Sequence, residues 1–115
     1  MRRGEIVLVD LDPARESEAS KRRPAVIVSN DGANLTAARL GRGVVTVVPV
    51  TSNVERVYPF QVLLPADESG LATDSKAQAE QVRSVSVERL GTPIGSVPPI
   101  LMGRLDEALR LHLAL

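Results

Sequence analysis

The apolar residues of this chain fall into short runs separated by charged or turn-forming residues. Valine dominates the runs: 16 of the 115 residues are valine and four are isoleucine. Both residues are β-branched and favour strands, so the pattern predicts a mostly β chain. The middle of 24–29 is apolar throughout, and both of its faces are expected to be buried. The predicted strands cover residues 6–9, 24–29, 43–50, 60–64, 77–87 and 93–97.

Two of these strands contain an irregularity. Pro49 lies inside 43–50, and because proline cannot donate a hydrogen bond to a sheet, we expect an edge position or a bulge there. The alternation of 77–87 changes phase near residues 81–82, which predicts a β-bulge. Residues 14–23 show no apolar period and are expected to form a charged loop.

Two helices are predicted. The first covers 31–40, with Asn30 or Asp31 as its N-cap and Gly41 as its stop.

The second helix ends the chain and is expected to start with Pro98 and Pro99, after Ser96 as N-cap. Its apolar face has helical spacing and includes His112, the only histidine, which we expect to be a core or interface residue. The members of this face are Leu101, Leu105, Ala108, Leu109 and His112. Many short strands with a terminal helix predict a small, strongly curved, mostly β barrel.

Composition excludes several kinds of chemistry. The chain has no cysteine, one histidine and two aromatic residues, Tyr58 and Phe60. A disulfide scaffold, a thiolate nucleophile and a cysteine zinc site are therefore excluded, and the aromatic residues are too few for a base-stacking platform.

The length predicts one domain spanning 1–115. No apolar run suits a signal peptide or a membrane span, so a cytoplasmic protein is expected.

Arginine supplies the candidate chemistry. Twelve of the 14 cationic residues are arginine, whose planar guanidinium grips phosphate with two hydrogen bonds, although an arginine-rich codon usage gives the same composition. Because the net charge is zero, nucleic-acid binding would need a local patch. Arg22 and Arg23 precede Pro24, which restrains Arg23 to an extended backbone. The alternative is a pair of exposed arginines at a loop exit.

Two polar clusters are further candidates. They are Thr51, Ser52 and Asn53 after the third strand, and Glu80, Gln81 and Arg83 at the predicted bulge. Ordinary turn chemistry explains the first cluster equally well, and an exposed strand face explains the second. Glu16 and Glu18 could hold a metal ion, but the sequence offers no further ligand near them, so no metal is expected.

Four segments, taken in order, resemble the MazF/PemK toxins of toxin–antitoxin modules. They are RRGEIVLVDLDP (2–13), KRRPAVIVSN (21–30), VVTVVPVTSN (44–53) and AEQVRSVSVERL (79–90), and the ending RLDEALRLHLAL (104–115) is similar to the family's C-terminal helix. The resemblance implies an SH3-like curved β-barrel of the MazF/PemK/CcdB type that forms a homodimer. It implies a sequence-specific endoribonuclease that cuts single-stranded mRNA without metal or cofactor, leaves 2′,3′-cyclic phosphate and 5′-hydroxyl ends, and binds a MazE-like antitoxin.

The resemblance also implies roles for single residues. Arg23 matches the catalytic arginine, Thr51 matches the threonine that holds the scissile phosphate, and Glu80 matches a carboxylate that some members place as general base. The implied RNA-binding residues are Ser17, Glu18, Arg22, Ser52, Asn53, Gln81 and Arg83. This chain departs from many relatives at Glu16, where they have glycine, and from some at Gln78, where they have arginine.

Two other classes of protein remain open. One is a non-enzymatic CcdB-like toxin that binds a topoisomerase, and the other is a β-barrel adaptor that binds only protein. The CcdB-like toxins act through a tail that typically contains an aromatic residue, whereas this chain ends in HLAL (112–115).

Overall fold

The computed structural model describes residues 1–11 and 22–115. Glu16, Ser17 and Glu18, with most of the predicted loop 14–23, lie outside the described residues. The strands are β1 (Glu5–Asp10), β2 (Arg22–Ile27), β3 (Val44–Thr51), β4 (Gln61–Leu64), β5 (Ser75–Gln78), β6 (Arg83–Ser86) and β7 (Leu90–Ser96). The helices are α1 (Asp31–Leu40), the single turn α2 (Ala66–Ser69) and α3 (Pro99–Leu113), and short 3-10 turns cover Ala79–Gln81 and Val87–Arg89.

The strands form one antiparallel sheet in the order β4-β5-β3-β2-β1-β7, and β6 pairs with the first half of β3. This confirms the mostly β fold with short helices and a C-terminal helix. The sheet is not closed into a barrel in the described part of the chain. β3 pairs first with β6 and then with β5 on the same side, and the outer strands β4 and β7 do not pair with each other in the described residues.

Pro49 does not lie at an edge, because β3 has neighbours on both sides. The Val28 N–H donates to the Thr46 carbonyl at 2.9 Å, so alternate residues of β3 counted from Thr46 bond to β2. Pro49 belongs to the residues whose backbone groups point away from β2. On that side, β3 pairs with β6 as far as Val47 and with β5 from Val50 onward, so Pro49 lies between the two pairings. The missing N–H of Pro49 therefore leaves no partner unsatisfied in a ladder.

The strand expected over 77–87 is two strands separated by a turn. The 3-10 turn Ala79–Gln81 lies between β5 and β6, closed by the Val82 N–H donating to the Ala79 carbonyl at 3.1 Å. The change in the alternation of apolar residues near 81–82 therefore marks this turn and not a bulge. The turn places the Ala79 side chain in the core, where it is fully buried.

Apolar clusters cover both faces of the sheet, as the uniformly apolar middle of β2 predicted. Ala25, Val26 and Ile27 are fully buried. The cluster under α3 includes Ile6, Val26, Val48, Leu64, Leu101 and Leu105. The cluster under α1 includes Val7, Ala25, Ile27, Ala37, Val45 and Val47.

The cap of α1 is confirmed as Asn30, whose side-chain oxygen accepts from the Ala33 N–H at 2.8 Å. Gly41 ends the helix in the left-handed conformation, with φ of 64°, which favours glycine.

The start of α3 differs from the prediction. Ser96 is the last residue of β7, and Pro98 occupies the N-cap position without a side-chain hydrogen bond. His112 is exposed and is not a core residue of this chain, because α3 extends past its last buried residue, Ala108.

No helix in residues 1–11 or 22–115 has the length and apolar character needed to cross a membrane.

Gly95 of β7 lies close against the backbone of α2. A Cβ atom at this position would lie 2.2 Å from the carbonyl oxygen of Ser69. We expect Gly95→Ala to destabilise the fold by about 1–3 kcal/mol, because the two backbones must separate. Urea denaturation measures this change. Gly103→Ala on α3, where a Cβ meets nothing within 4 Å, is the matched control and should be neutral or stabilising; equal stability of the two variants would contradict the prediction.

Candidate active site

Pro24 ends the hydrogen-bond ladder between β2 and β3. In an antiparallel pair, every second residue directs its N–H toward the same neighbouring strand. Because the Val28 N–H points to β3, residues 26 and 24 are the next ones placed to donate to it. Proline has no N–H, and Ala25 opposite Pro49 is the last pair in register. The two strands are therefore free to separate beyond that pair.

A cleft of about 320 Å³ opens where the ladder stops. Continuing the register by two residues places Arg23 opposite Thr51, and both residues line the cleft. The hydroxyl-bearing residues that also line it are Ser52, Thr73 and Ser75, and Leu71 and Ile94 supply apolar walls. One exposed guanidinium beside several hydroxyl groups is suited to bind a phosphate group.

Thr73 and Ser75 also line the cleft, although the local sequence pattern did not indicate them. They precede or begin β5 and reach the cleft because β5 pairs with the end of β3. A cluster of hydroxyl residues directly before a strand, here Thr73-Asp74-Ser75, is the signal that could have indicated them.

Arg22 and Arg23 are strand residues, opposite Asp10 and Val9 of β1, and not part of a loop as predicted. Successive strand residues point to opposite faces, so the two side chains diverge. Nη1 of Arg22 lies 3.0 Å from the place a Cβ would occupy on Gly91 of β7. Only Arg23 of the pair lines the cleft.

The residues after β3 divide between the cleft and the turn. The Thr51 side-chain oxygen accepts from the Asn53 N–H at 3.2 Å, and the Asn53 side-chain oxygen accepts from the Glu55 N–H at 3.2 Å. Asn53 therefore shapes the turn, as the turn interpretation expected, while Thr51 and Ser52 line the cleft.

Glu80, Gln81 and Arg83 do not line the cleft. Oε2 of Glu80 accepts from Nε2 of Gln61 at 2.7 Å, and Oε1 is buried with no hydrogen-bond partner in the described part of the protein. Gln81 and Arg83 are exposed. The structure thus brings Arg23, Thr51 and Ser52 together and leaves the Glu80 cluster apart from them.

The resemblance implies RNA cleavage, and on that expectation Pro24→Ala should lower cleavage of a bound RNA roughly tenfold. The restored N–H extends the ladder and narrows the cleft, and small misplacements of reacting groups are costly. The fold should remain stable, since one hydrogen bond is gained. Single-turnover cleavage with circular dichroism measures both properties. Pro93→Ala on the exposed strand β7 is the control, and a wild-type rate for Pro24→Ala would contradict this account of the cleft.

Comparison with known proteins assigns the class. Residues 2–113 match the family model of PemK-like, MazF-like toxins of type II toxin–antitoxin systems. The chain belongs to this family, as its four sequence segments predicted.

Two curated relatives match the full length of the chain. It is 68% identical over 115 residues to Endoribonuclease MazF9 of Mycobacterium tuberculosis, covering 100% of this chain and 98% of that protein. It is 29% identical over 116 residues to Endoribonuclease EndoA of Bacillus subtilis, covering 100% and 96%.

Solved structures share the fold. The Mycobacterium tuberculosis toxin MazF-mt6 superposes with a TM-score of 0.76 at 26% identity, over 96% of this chain and 97% of that chain. An endoribonuclease in complex with its cognate antitoxin, from a mycobacterial species, superposes with a TM-score of 0.76 at 25% identity, over 100% and 96%.

Proposed function

We propose that this chain is the toxin of a toxin–antitoxin module and cleaves single-stranded mRNA, sequence-specifically and without a metal, at the cleft of Arg23 and Thr51. It is a MazF-type endoribonuclease, because its family model describes MazF-like toxins and both of the full-length relatives described above are named endoribonucleases. The observation that carries the proposed site is the cleft that Arg23 and Thr51 both line. Its place of action is the cytoplasm, where mRNA is translated, and cutting mRNA stops growth.

Cleavage uses the RNA's own 2′-hydroxyl as nucleophile. The 2′-hydroxyl loses its proton to a general base as its oxygen attacks the phosphorus, a cyclic phosphate forms, and the bond to the 5′-oxygen breaks. The leaving 5′-oxygen takes a proton from a water molecule and becomes the 5′-hydroxyl. Negative charge develops on the phosphate oxygens, and the Arg23 guanidinium stabilises it with two charge-assisted hydrogen bonds. The hydroxyl of Thr51 donates a weaker, neutral hydrogen bond to the same group. Arg23 holds its own proton too firmly to be a good proton donor, so its role is electrostatic.

The proton of the 2′-hydroxyl needs a general base. The resemblance assigned this role to Glu80, but its carboxylate is held by Gln61 and has one buried oxygen. The resemblance assigns Glu18 to the RNA-binding residues. We propose Glu18 as the base for this reason, with Glu80 supporting the fold through Gln61.

The proposal is tested with purified protein and a long RNA in excess EDTA. Discrete fragments ending in 2′,3′-cyclic phosphate support it, provided that Arg23→Ala, purified in the same way, produces none. Intact RNA, or fragments that need a divalent cation, would contradict it. Binding to a topoisomerase without RNA cleavage would favour the CcdB-like alternative.

A MazE-like antitoxin is the proposed regulatory partner. An extended acidic segment can occupy the arginine of the cleft through a carboxylate without being cleaved. The solved complex of a related endoribonuclease with its cognate antitoxin supports a partner of this kind.

A second copy of this chain is the proposed partner of α3. An apolar groove of about 750 Å³ runs between β4, α3 and the residues before β4, and its walls include Val57, Leu63, Ile100 and Leu111. Ile100 is 77% exposed and Leu111 is 60% exposed, which is unfavourable for a surface in water. Arg104 and Glu107 also line the groove, so two copies related by a twofold axis can pair these charges.

We expect the protein to sediment at micromolar concentration as a homodimer with twice the mass of the 12.3 kDa chain. Leu111→Glu should shift it to the monomer, because a carboxylate is costly to bury at the interface. Leu35→Glu on α1, 53% exposed and outside the groove, is the control and should stay dimeric. A monomeric wild type would exclude this interface.

A further inference from the structure

Lys76 of β5 is a buried lysine that the proposed chemistry does not use. Only 7% of the residue is exposed. Its ammonium donates a hydrogen bond to the carbonyl oxygen of Arg56 and lies 5.9 Å from the centre of the Tyr58 ring. In residues 1–11 and 22–115, Lys76 forms no ion pair with a carboxylate within 4.0 Å. A carbonyl oxygen and an aromatic face are therefore what balances this buried charge.

The position of Lys76 in the sheet relates it to the cleft. β5 lies between β3 and β4, and Lys76 is opposite Thr51 on one side and Leu63 on the other. Residues 52–60, here termed the 52–60 segment, leave the sheet after Thr51 and return to it at β4. Lys76 thus lies at the base of this segment, and its side chain reaches the middle of it.

Within residues 1–11 and 22–115, few other hydrogen bonds join the 52–60 segment to the rest of the fold. Its first residues are joined by the Thr51 and Asn53 side chains, and its end is joined to β4 through Tyr58 and Gln61. The bond from Lys76 to Arg56 is the one that joins residues 54–57 to the sheet, within the described part of the chain. The shape of the segment that carries Ser52 into the cleft therefore depends on this ammonium.

We propose that Lys76 is a positioning residue: its positive charge holds the 52–60 segment against the sheet and so keeps Thr51 and Ser52 in place for cleavage at Arg23. This inference rests on the proposed nuclease function. The charge matters more than the bulk of the side chain, because both partners of the ammonium, the carbonyl and the ring, attract a cation.

The first test needs no RNA. Tyr58 is the only tyrosine and the chain has no tryptophan, so intrinsic fluorescence reports on the 52–60 segment alone. Lys76→Met should increase quenching by acrylamide up to about twofold, because 41% of Tyr58 is already exposed and a released segment exposes the rest. Arg89→Met, which removes one exposed positive charge elsewhere, is the control and should leave the quenching unchanged. Unchanged quenching in Lys76→Met would overturn the proposal.

The second test separates positioning from RNA contact. In single-turnover assays Lys76→Met should cleave a bound RNA about 10- to 100-fold more slowly, the range expected for losing a hydrogen bond from a charged group. The Kd for RNA should change less than about threefold, because a buried ammonium does not reach the substrate. Lys76→Arg, which keeps the charge and the donors, should regain most of the rate.

The outcomes are distinct. A wild-type rate for Lys76→Met overturns the proposal, and so does a large loss of RNA affinity with unchanged quenching, which would mean that Lys76 contacts RNA directly. If circular dichroism shows Lys76→Met to be unfolded, Lys76→Arg decides: wild-type quenching and rate support the proposal, and wild-type quenching with a lost rate contradicts it. If the wild-type chain does not cleave RNA, the proposed function fails. The quenching comparison still tests whether Lys76 holds the 52–60 segment against the sheet.

Discussion

Arg23→Lys should cleave a short RNA containing the target site about 10²–10³-fold more slowly than the wild type, yet bind it almost as well. Lysine keeps the positive charge and so keeps the attraction to phosphate. It loses the planar fork that donates two hydrogen bonds to two phosphate oxygens. The second of these bonds gains most when charge accumulates on the phosphate in the transition state, so the loss falls on the rate and not on binding.

Arg22→Lys is the matched control for this substitution. Arg22 is the preceding strand residue, but its guanidinium lies over Gly91 on β7 and outside the cleft. Its cleavage rate should stay within a few-fold of the wild type. Single-turnover kinetics and filter binding on both variants measure the comparison. If Arg23→Lys cleaves at the wild-type rate, or if both variants lose the same amount, the arginine-clamp mechanism is wrong.

The sequence indicated those cleft residues that lie at the ends of predicted strands. Arg23 and Thr51 were candidates because each is a polar residue at one end of an apolar run, and the resemblance to the MazF/PemK toxins then implied their roles. Pro24 was interpreted only as a restraint on Arg23. Its effect on the ladder depends on which residues of β2 direct their N–H groups toward β3, and this requires the register, which a single sequence does not contain.

Residues that reach the site through distant pairing were not predictable in this way. Thr73 and Ser75 line the cleft, and Lys76 lies opposite Thr51, because β5 pairs with the end of β3, about 25 positions earlier in the chain. Glu80 was expected at the site because the resemblance to the MazF/PemK toxins matched it with a general base. The 3-10 turn Ala79–Gln81 redirects the chain there and directs the carboxylate to Gln61. Local patterns identify strands, but they do not identify the partners of those strands.

Glu18→Gln should slow cleavage about 10²–10⁴-fold, whereas Glu80→Gln should stay within about tenfold of the wild type. An amide has nearly the shape of a carboxylate but cannot accept the proton of the 2′-hydroxyl, so the loss identifies the base. In Glu80→Gln the new side-chain oxygen can still accept from Gln61, so the contact at 2.7 Å is preserved. Glu16→Gln, two residues from Glu18, is the control for altered charge in the same part of the sequence.

Measuring stability together with the cleavage rate distinguishes Glu18 from Glu80 as the general base. Glu80→Ala leaves the Gln61 amide without its acceptor and should lower the free energy of unfolding by about 1–3 kcal/mol, while the folded variant still cleaves. A base has the opposite pattern: a lost rate with unchanged stability. If Glu80→Gln is inactive and equally stable, and Glu18→Gln cleaves normally, Glu80 is the base. Its buried oxygen would then have to turn into the cleft when RNA binds, which requires the Gln61 contact to break before the 2′-hydroxyl can lose its proton.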